Sequence, residues 1–203
     1  MIAIADYGLG NVQAFLDIYK RLNIPAIGAR TAEELASGER IILPGVGSFD
    51  RAMEQLHESG MRDELDRQVL GEGKPVLGVC VGMQMMAESS EEGVRPGLGW
   101  IAGTVVRFDE RAFNQRTHLP HMGWNDVAPR PDNPLFAGID DPRYYFLHSY
   151  HYVPTNDAEV LASSTYGSTF ASAVRRGRIF GTQFHPEKSH QFGVSLLANF
   201  ARV

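Results

Sequence analysis

The chain has a single cysteine, Cys80, and it stands in Gly78-Val79-Cys80-Val81-Gly82. The apolar, β-branched run Pro75–Val79 before it reads as a buried strand, and the residues from Met83 to Glu88 after it are good helix formers. A cysteine at a strand-to-helix junction, with glycine two places to either side, has the form of a nucleophile elbow: small flanks permit the sharp turn that exposes the sulfur. The start of a helix just beyond it stabilises negative charge on a thiolate or an oxyanion. Taken alone, the same cysteine is equally well a small core residue.

Two further features bear on that choice. Gly181-Thr182-Gln183-Phe184-His185-Pro186-Glu187 ends a strand and turns. His185 and Glu187 are two apart, so in extended chain they face one side. A neutral imidazole can take a thiol proton, and a carboxylate beside it can orient the ring and stabilise its charged form. Cys80, His185 and Glu187 then supply nucleophile, base and orienter; the bland reading of the pair is a solvated strand end. Gly45-Val46-Gly47 is the third feature. Glycines let backbone N–H groups approach a ligand closely, so an amide at Val46 or Gly47 and the Val81 amide could form an oxyanion hole. For the loop alone, a tight turn is the simpler reading.

The elements that must position these groups follow from the pattern. Strands are expected at Ile2–Ala5, Pro25–Ala29, Arg40–Leu43 and Pro75–Val79. They alternate with helices at Val12–Leu22, Ala32–Ala36, Asp50–Glu58 and Arg62–Leu70. This rhythm implies a parallel sheet covered on both faces, with ligands bound at the C-terminal strand ends. The second half reads as strands at Ile101–Phe108, Trp124–Val127, Tyr144–His148, Val160–Ser164, Phe170–Val174 and Ile179–Phe184, with a helix only at Gly193–Arg202. The expected fold is α/β: a mostly parallel central sheet flanked by helices, with an additional antiparallel region in the second half. No linker or repeat divides residues 1–203, so one domain is expected. The polar connection Asp109–His121 is expected to be mobile, and Glu88–Glu92 to be a solvated helix end.

Composition narrows the function classes. A net charge of −5 over 203 residues argues against general nucleic-acid binding and offers no polybasic membrane patch. No apolar run reaches membrane-spanning length, and the N-terminus lacks the basic start of a signal peptide; the expected compartment is the cytoplasm. One cysteine makes no internal disulfide and cannot alone build a zinc site. Seven histidines invite a metal reading, but no pair has helical His-x-x-x-His spacing. His148 and His151, three apart on one expected strand, should face opposite sides, and surface or interface hydrogen bonding is expected for every histidine except His185. Core packing is expected for two of Met83, Met85 and Met86. Gly8-Leu9-Gly10-Asn11 after the first strand lacks the third glycine of a dinucleotide fingerprint, so an NAD site is not expected there; a turn at the sheet edge is.

The motifs together resemble the class I, triad-type glutamine amidotransferases. Pro44-Gly45-Val46-Gly47-Ser48-Phe49, Gly78 to Gln84 and Phe184-His185-Pro186-Glu187-Lys188-Ser189 carry the likeness. Asp6 to Asn11, Pro120 to Asn125 and His148-Ser149-Tyr150 extend it toward the glutaminase subunits of imidazole glycerol phosphate synthase. The resemblance implies hydrolysis of L-glutamine through a glutamyl thioester on Cys80, with His185 and Glu187 completing the triad. It implies an oxyanion site at Val46, Gly47 and Val81, and substrate contacts at Gln84, His148, Ser149 and Tyr150. It also implies ammonia transfer to a (β/α)8-barrel partner that contacts Gly10, Asn11, Trp124, Asn125 and Lys188, with no metal or organic cofactor. Leu98-Gly99-Trp100, His151 and Lys188 to Gly193 resemble a paralogous branch that supplies ammonia to a sugar-amidating enzyme of surface polysaccharide synthesis. The two destinations stand side by side.

Overall fold

The computed structural model describes residues 1–113 and 117–203. Its first half runs β1 (Ile2–Ala5), α1 (Val12–Arg21), β2 (Ala26–Ala29), α2 (Ala32–Ala36), β3 (Arg40–Gly45), α3 (Phe49–Glu58), α4 (Arg62–Asp66), β4 (Val76–Cys80) and α5 (Val81–Gln84). The second half runs β5 (Ser89–Ser90), β6 (Gly103–Arg107), β7 (His121–Asp126), β8 (Ala128–Pro129), β9 (Arg143–His148), β10 (Tyr150–Pro154), β11 (Val160–Tyr166), β12 (Ser168–Arg176), β13 (Ile179–Thr182) and α6 (His190–Phe200).

The main sheet has the order β2-β1-β3-β4-β13-β12-β10-β6-β5, with β11 beside β12 and β8 beside β11. Strands β1 to β4 and β13 are parallel, whereas β12 pairs antiparallel with β10, β11 and β13. A small antiparallel sheet, β7-β9, stands apart and is pinned to the main one by the His185 N–H, which donates to the Tyr145 carbonyl at 2.9 Å. The expected α/β architecture, with its antiparallel region in the second half, is the one observed. β1, β4 and β13 are buried along their whole length, as strands covered on both faces must be. No helix among the described residues is long and apolar enough to cross a membrane.

Several local expectations give way to tertiary contacts. The helix after Cys80 ends at Gln84, not Glu88. The carbonyls of Met85, Met86 and Ala87 instead accept from the N–H groups of Leu98, Ile101 and Gly99, so the returning loop stops the helix. Glu88–Glu92 is therefore no helix end, although Glu88 and Glu91 are exposed as expected. Glu88 accepts from the Gly103 N–H, Glu91 from Arg107 and Glu92 from Phe49. Met83, Met85 and Met86 are all buried rather than two of them. The helix expected over Arg62–Leu70 divides at Arg67 into a π-helical turn, and the last helix begins at His190 rather than Gly193. β10 was not foreseen. The chain changes strand at Ser149, and as a result His148 and His151 both pack against Phe108 and Phe170 instead of facing apart. In the Asp109–His121 connection, Phe113 packs on Phe108 and Tyr166, and the Tyr166 hydroxyl donates to the His118 carbonyl at 2.6 Å. Residues 114–116 of that connection lie outside the described residues.

Candidate active site

Parallel register assembles the site. Cys80, the last residue of β4, lies opposite Gly45, the last of β3, so Val46 and Gly47 emerge beside the sulfur. On the other flank Thr182 of β13 lies opposite Val79, which delivers Gln183, Phe184 and His185 to the same edge. Cys80 itself has φ 57° and ψ −114°, a backbone geometry that is costly for any residue with a Cβ. Such strain concentrates at functional positions, and here it produces the elbow. Tight packing holds it: a Cβ at Gly82 would lie 1.9 Å from the Leu43 carbonyl oxygen. Gly47 has φ +87°, open to glycine and rarely to other residues.

His185 Nδ1 lies 2.8 Å from Glu187 Oε1, and both side chains are only 3% exposed. The pair does not arise from extended chain, as the two-residue spacing suggested. Pro186–Lys188 is a 3-10 turn that folds the carboxylate back onto the ring. Ser189, wholly buried, braces the turn: its hydroxyl donates to the His185 carbonyl at 2.6 Å and accepts from the Tyr145 N–H at 3.0 Å. Burial works against charge on the His185 ring, but hydrogen bonds to Cys80 and Glu187, together with their charges, outweigh it. The ring is pushed up to about 10. At neutral pH the arrangement is thus an imidazolium held between a sulfur and a carboxylate. It can donate a proton to a leaving group and later take one from water.

A cavity of about 350 Å³ opens over the sulfur, lined by Val46, Gly47, Cys80, Val81, Gln84, His148, Ser149, Tyr150, His185 and Lys188. Glu187 stands behind His185, outside the cavity. Gly10, Asn11, Trp124 and Asn125 do not line it. Asn11 caps α1 by accepting from the Ala14 N–H. Trp124, 41% exposed, stacks on His190 at 5.4 Å, while Asn125, next along β7, turns inward and donates to the Thr165 carbonyl. His121 and His148 are buried, not at the surface, with His121 Nδ1 2.9 Å from His148 Nε2. Among the described residues no group of three His, Cys, Asp or Glu could hold a metal.

Sequence reasoning missed Glu92, Pro120 and Leu147, which also line the cavity, and Tyr7, whose hydroxyl donates to the Pro44 carbonyl at 2.6 Å beneath the glycine loop. It also missed Gln183, wholly buried, whose Nε2 lies 3.8 Å from the Cys80 sulfur. Tyr7, Pro120 and Gln183 lie within motifs quoted above, the Asp6–Asn11, Pro120–Asn125 and Gly181–Glu187 segments; Glu92 and Leu147 depend on contacts between distant segments.

The model of the class-I glutamine amidotransferases matches residues 8–203. The chain belongs to that family. The amidotransferase is 54% identical over its full length to the whole of the imidazole glycerol phosphate synthase subunit HisH of Bdellovibrio bacteriovorus. It is 52% identical, again over the full length of both chains, to the subunit HisH of Leptospira interrogans. A third relative, 46% identical over both full lengths, is the subunit HisH 2 of Pseudomonas aeruginosa. Among solved structures, a glutamine amidotransferase superposes with a TM-score of 0.74 at 23% identity, covering 100% of this chain and 99% of that one. PurLQS from Thermotoga maritima superposes at 0.68 and 18%, covering 99% and 97%. At these identities the structures speak for the fold alone.

Proposed function

We propose that the amidotransferase is the glutaminase subunit of an imidazole glycerol phosphate synthase, a single glutaminase domain over residues 1–203 acting in histidine biosynthesis in the cytoplasm. One observation carries the chemistry. The strained Cys80 elbow, the His185–Glu187 pair and the Val46–Gly47 loop meet at the ends of three neighbouring parallel strands, around one cavity.

In this reading the Cys80 thiolate adds to the side-chain amide carbon of L-glutamine. Backbone amides at Val46 or Gly47 and at Val81 stabilise the oxyanion. The His185 imidazolium gives its proton to the leaving ammonia, and a glutamyl thioester remains. His185, now neutral, takes a proton from water, whose oxygen attacks the thioester and releases glutamate and the sulfur. Glu187 keeps His185 oriented. Gln84, Ser149 and Tyr150 surround the substrate, with His148 behind them. Ammonia then passes to a (β/α)8-barrel partner docked near Gly10, Asn11, Trp124, Asn125 and Lys188. The relatives at 46–54% identity, each bearing the synthase name, support this destination.

Reconstitution with the barrel subunit tests it. The complex is expected to form imidazole glycerol phosphate from either glutamine or ammonium. Cys80→Ala should abolish only the glutamine-dependent reaction. Ammonia release from glutamine with no imidazole glycerol phosphate formed would refute the histidine assignment and favour the sugar-amidating branch.

A further inference from the structure

Gln183 is wholly buried between β13 and the His185 turn, with its amide facing Cys80. We propose that Gln183 is a catalytic residue whose side-chain N–H donates to the Cys80 sulfur, that Gln84 is a positioning residue that fixes the direction of its amide, and that His148 and His121 are positioning residues that hold in place the Tyr150 carbonyl on which Gln84 is anchored. The proposal rests on Cys80 being the nucleophile.

The direction follows from one unambiguous acceptor, the Tyr150 carbonyl. Gln84 lies 3.1 Å from it through Nε2, so the Gln84 NH₂ must face it; a flipped amide would set oxygen against oxygen. The second hydrogen of that NH₂ reaches Gln183 Oε1 at 3.0 Å. The Gln183 oxygen is thereby committed, and its own NH₂ is left to face the sulfur at 3.8 Å. A donor aimed at a thiolate stabilises the charge that makes it nucleophilic. With both its hydrogens engaged, Gln84 can meet a substrate only as an acceptor.

A second arm reaches the same carbonyl from β7. His148 Nδ1 lies 2.8 Å from the Tyr150 oxygen, so it carries a hydrogen. Burial pushes the His121 ring down to about 4 and the His148 ring well below its ordinary range, so both rings are neutral. His148 Nε2 is then a lone pair and receives the His121 Nδ1–H at 2.9 Å. His121 Nε2 in turn accepts from Asn125 Nδ2 at 3.3 Å. The two arms converge as donors on the Tyr150 carbonyl, so the histidine arm holds that oxygen in place and the Gln84 arm sets the direction of the amide that faces the sulfur. The network transmits orientation; no proton moves along it.

Because Cys80 is the only cysteine, its alkylation by iodoacetamide reads the sulfur directly in the full chain. Gln183→Met, close in volume and without a donor, is expected to slow alkylation at pH 7 by about tenfold, from the loss of a hydrogen bond to a charged group. In the complex it should lower kcat by a similar factor and leave KM for glutamine within about twofold. His121→Phe keeps the ring stacked between Phe146 and Tyr166 and is expected to slow alkylation about threefold. His121→Gln, which again offers a donor and an acceptor, should restore the rate. Alkylation of Gln183→Met at the parent rate would overturn the role of Gln183. His121→Phe at the parent rate, or no rescue by His121→Gln, would overturn the positioning arm. A glutamine chloroketone that fails to label Cys80 in the parent protein would instead sink the nucleophile reading itself.

Discussion

Glu187→Gln separates the charge of the orienting residue from its shape. The His185 ring is held at about 10 against an ordinary 6.5, which corresponds to a preference of about 5 kcal/mol for its charged form at 1.36 kcal/mol per pH unit. Cys80 and Glu187 share that preference against the cost of burial. An amide oxygen still accepts from Nδ1–H, so the substitution replaces a charge-assisted hydrogen bond with a neutral one, a loss of about 1–2 kcal/mol. The ring should fall by about one pH unit. Since His185 must be protonated to release ammonia, activity is lost as pH rises through its titration. The alkaline limb of kcat/KM for glutamine should therefore move from near pH 10 to near pH 9, with KM at neutral pH little changed. Stability carries the same sign. A folded value above the unfolded one gives a contribution complete below about pH 6.5 and lost as pH climbs through about 10. The assay is glutamate release by the complex from pH 6 to 11, beside urea unfolding of the chain over the same range. An alkaline limb that stays in place, or moves upward, would refute the reasoning.

Two further outcomes follow from the geometry. Cys80→Gly removes a Cβ from a position with φ 57°, so it should abolish glutaminase activity yet raise the unfolding free energy by about 1 kcal/mol; a destabilised variant in urea titration would contradict the strain at the elbow. Trp124→Ala removes the half-exposed ring stacked on His190 and should weaken binding of the barrel subunit at least about tenfold in calorimetry, whereas unchanged affinity would exclude this face from the interface.

How much of this was legible in sequence depends on how far apart the interacting residues lie. β1, β3, β4 and β13 are short apolar runs whose burial the pattern states directly, and the parallel direction of the first three follows from the alternation with helices; β13 follows a strand, and its parallel pairing with β4 is a long-range contact. The elbow glycines and the His185-Pro186-Glu187 turn are local, so their identities were readable, although the turn and not extended chain brings the carboxylate to the ring. The end of α5 was not readable, because the carbonyls that would continue it are taken by the loop at Leu98–Ile101. Glu88 and Glu91 are the exposed charges they looked to be, but they and Glu92 each also satisfy a backbone N–H from another segment, which no local pattern shows. The buried His121–His148 pair depends on β7 and β9 being antiparallel neighbours with these two residues opposite each other. Gln183 reaches the sulfur across 103 positions of chain. Neither is visible in any local window.

The central claim is that Cys80 forms the covalent bond to the glutamyl group. Peptide mass spectrometry after treating the assembled complex with a glutamine chloroketone tests it most directly. A single adduct on the peptide carrying Cys80, prevented by excess glutamine and accompanied by loss of ammonia release, is the expected result. Full ammonia release with Cys80 alkylated, or an adduct on another residue with Cys80 untouched, would contradict it.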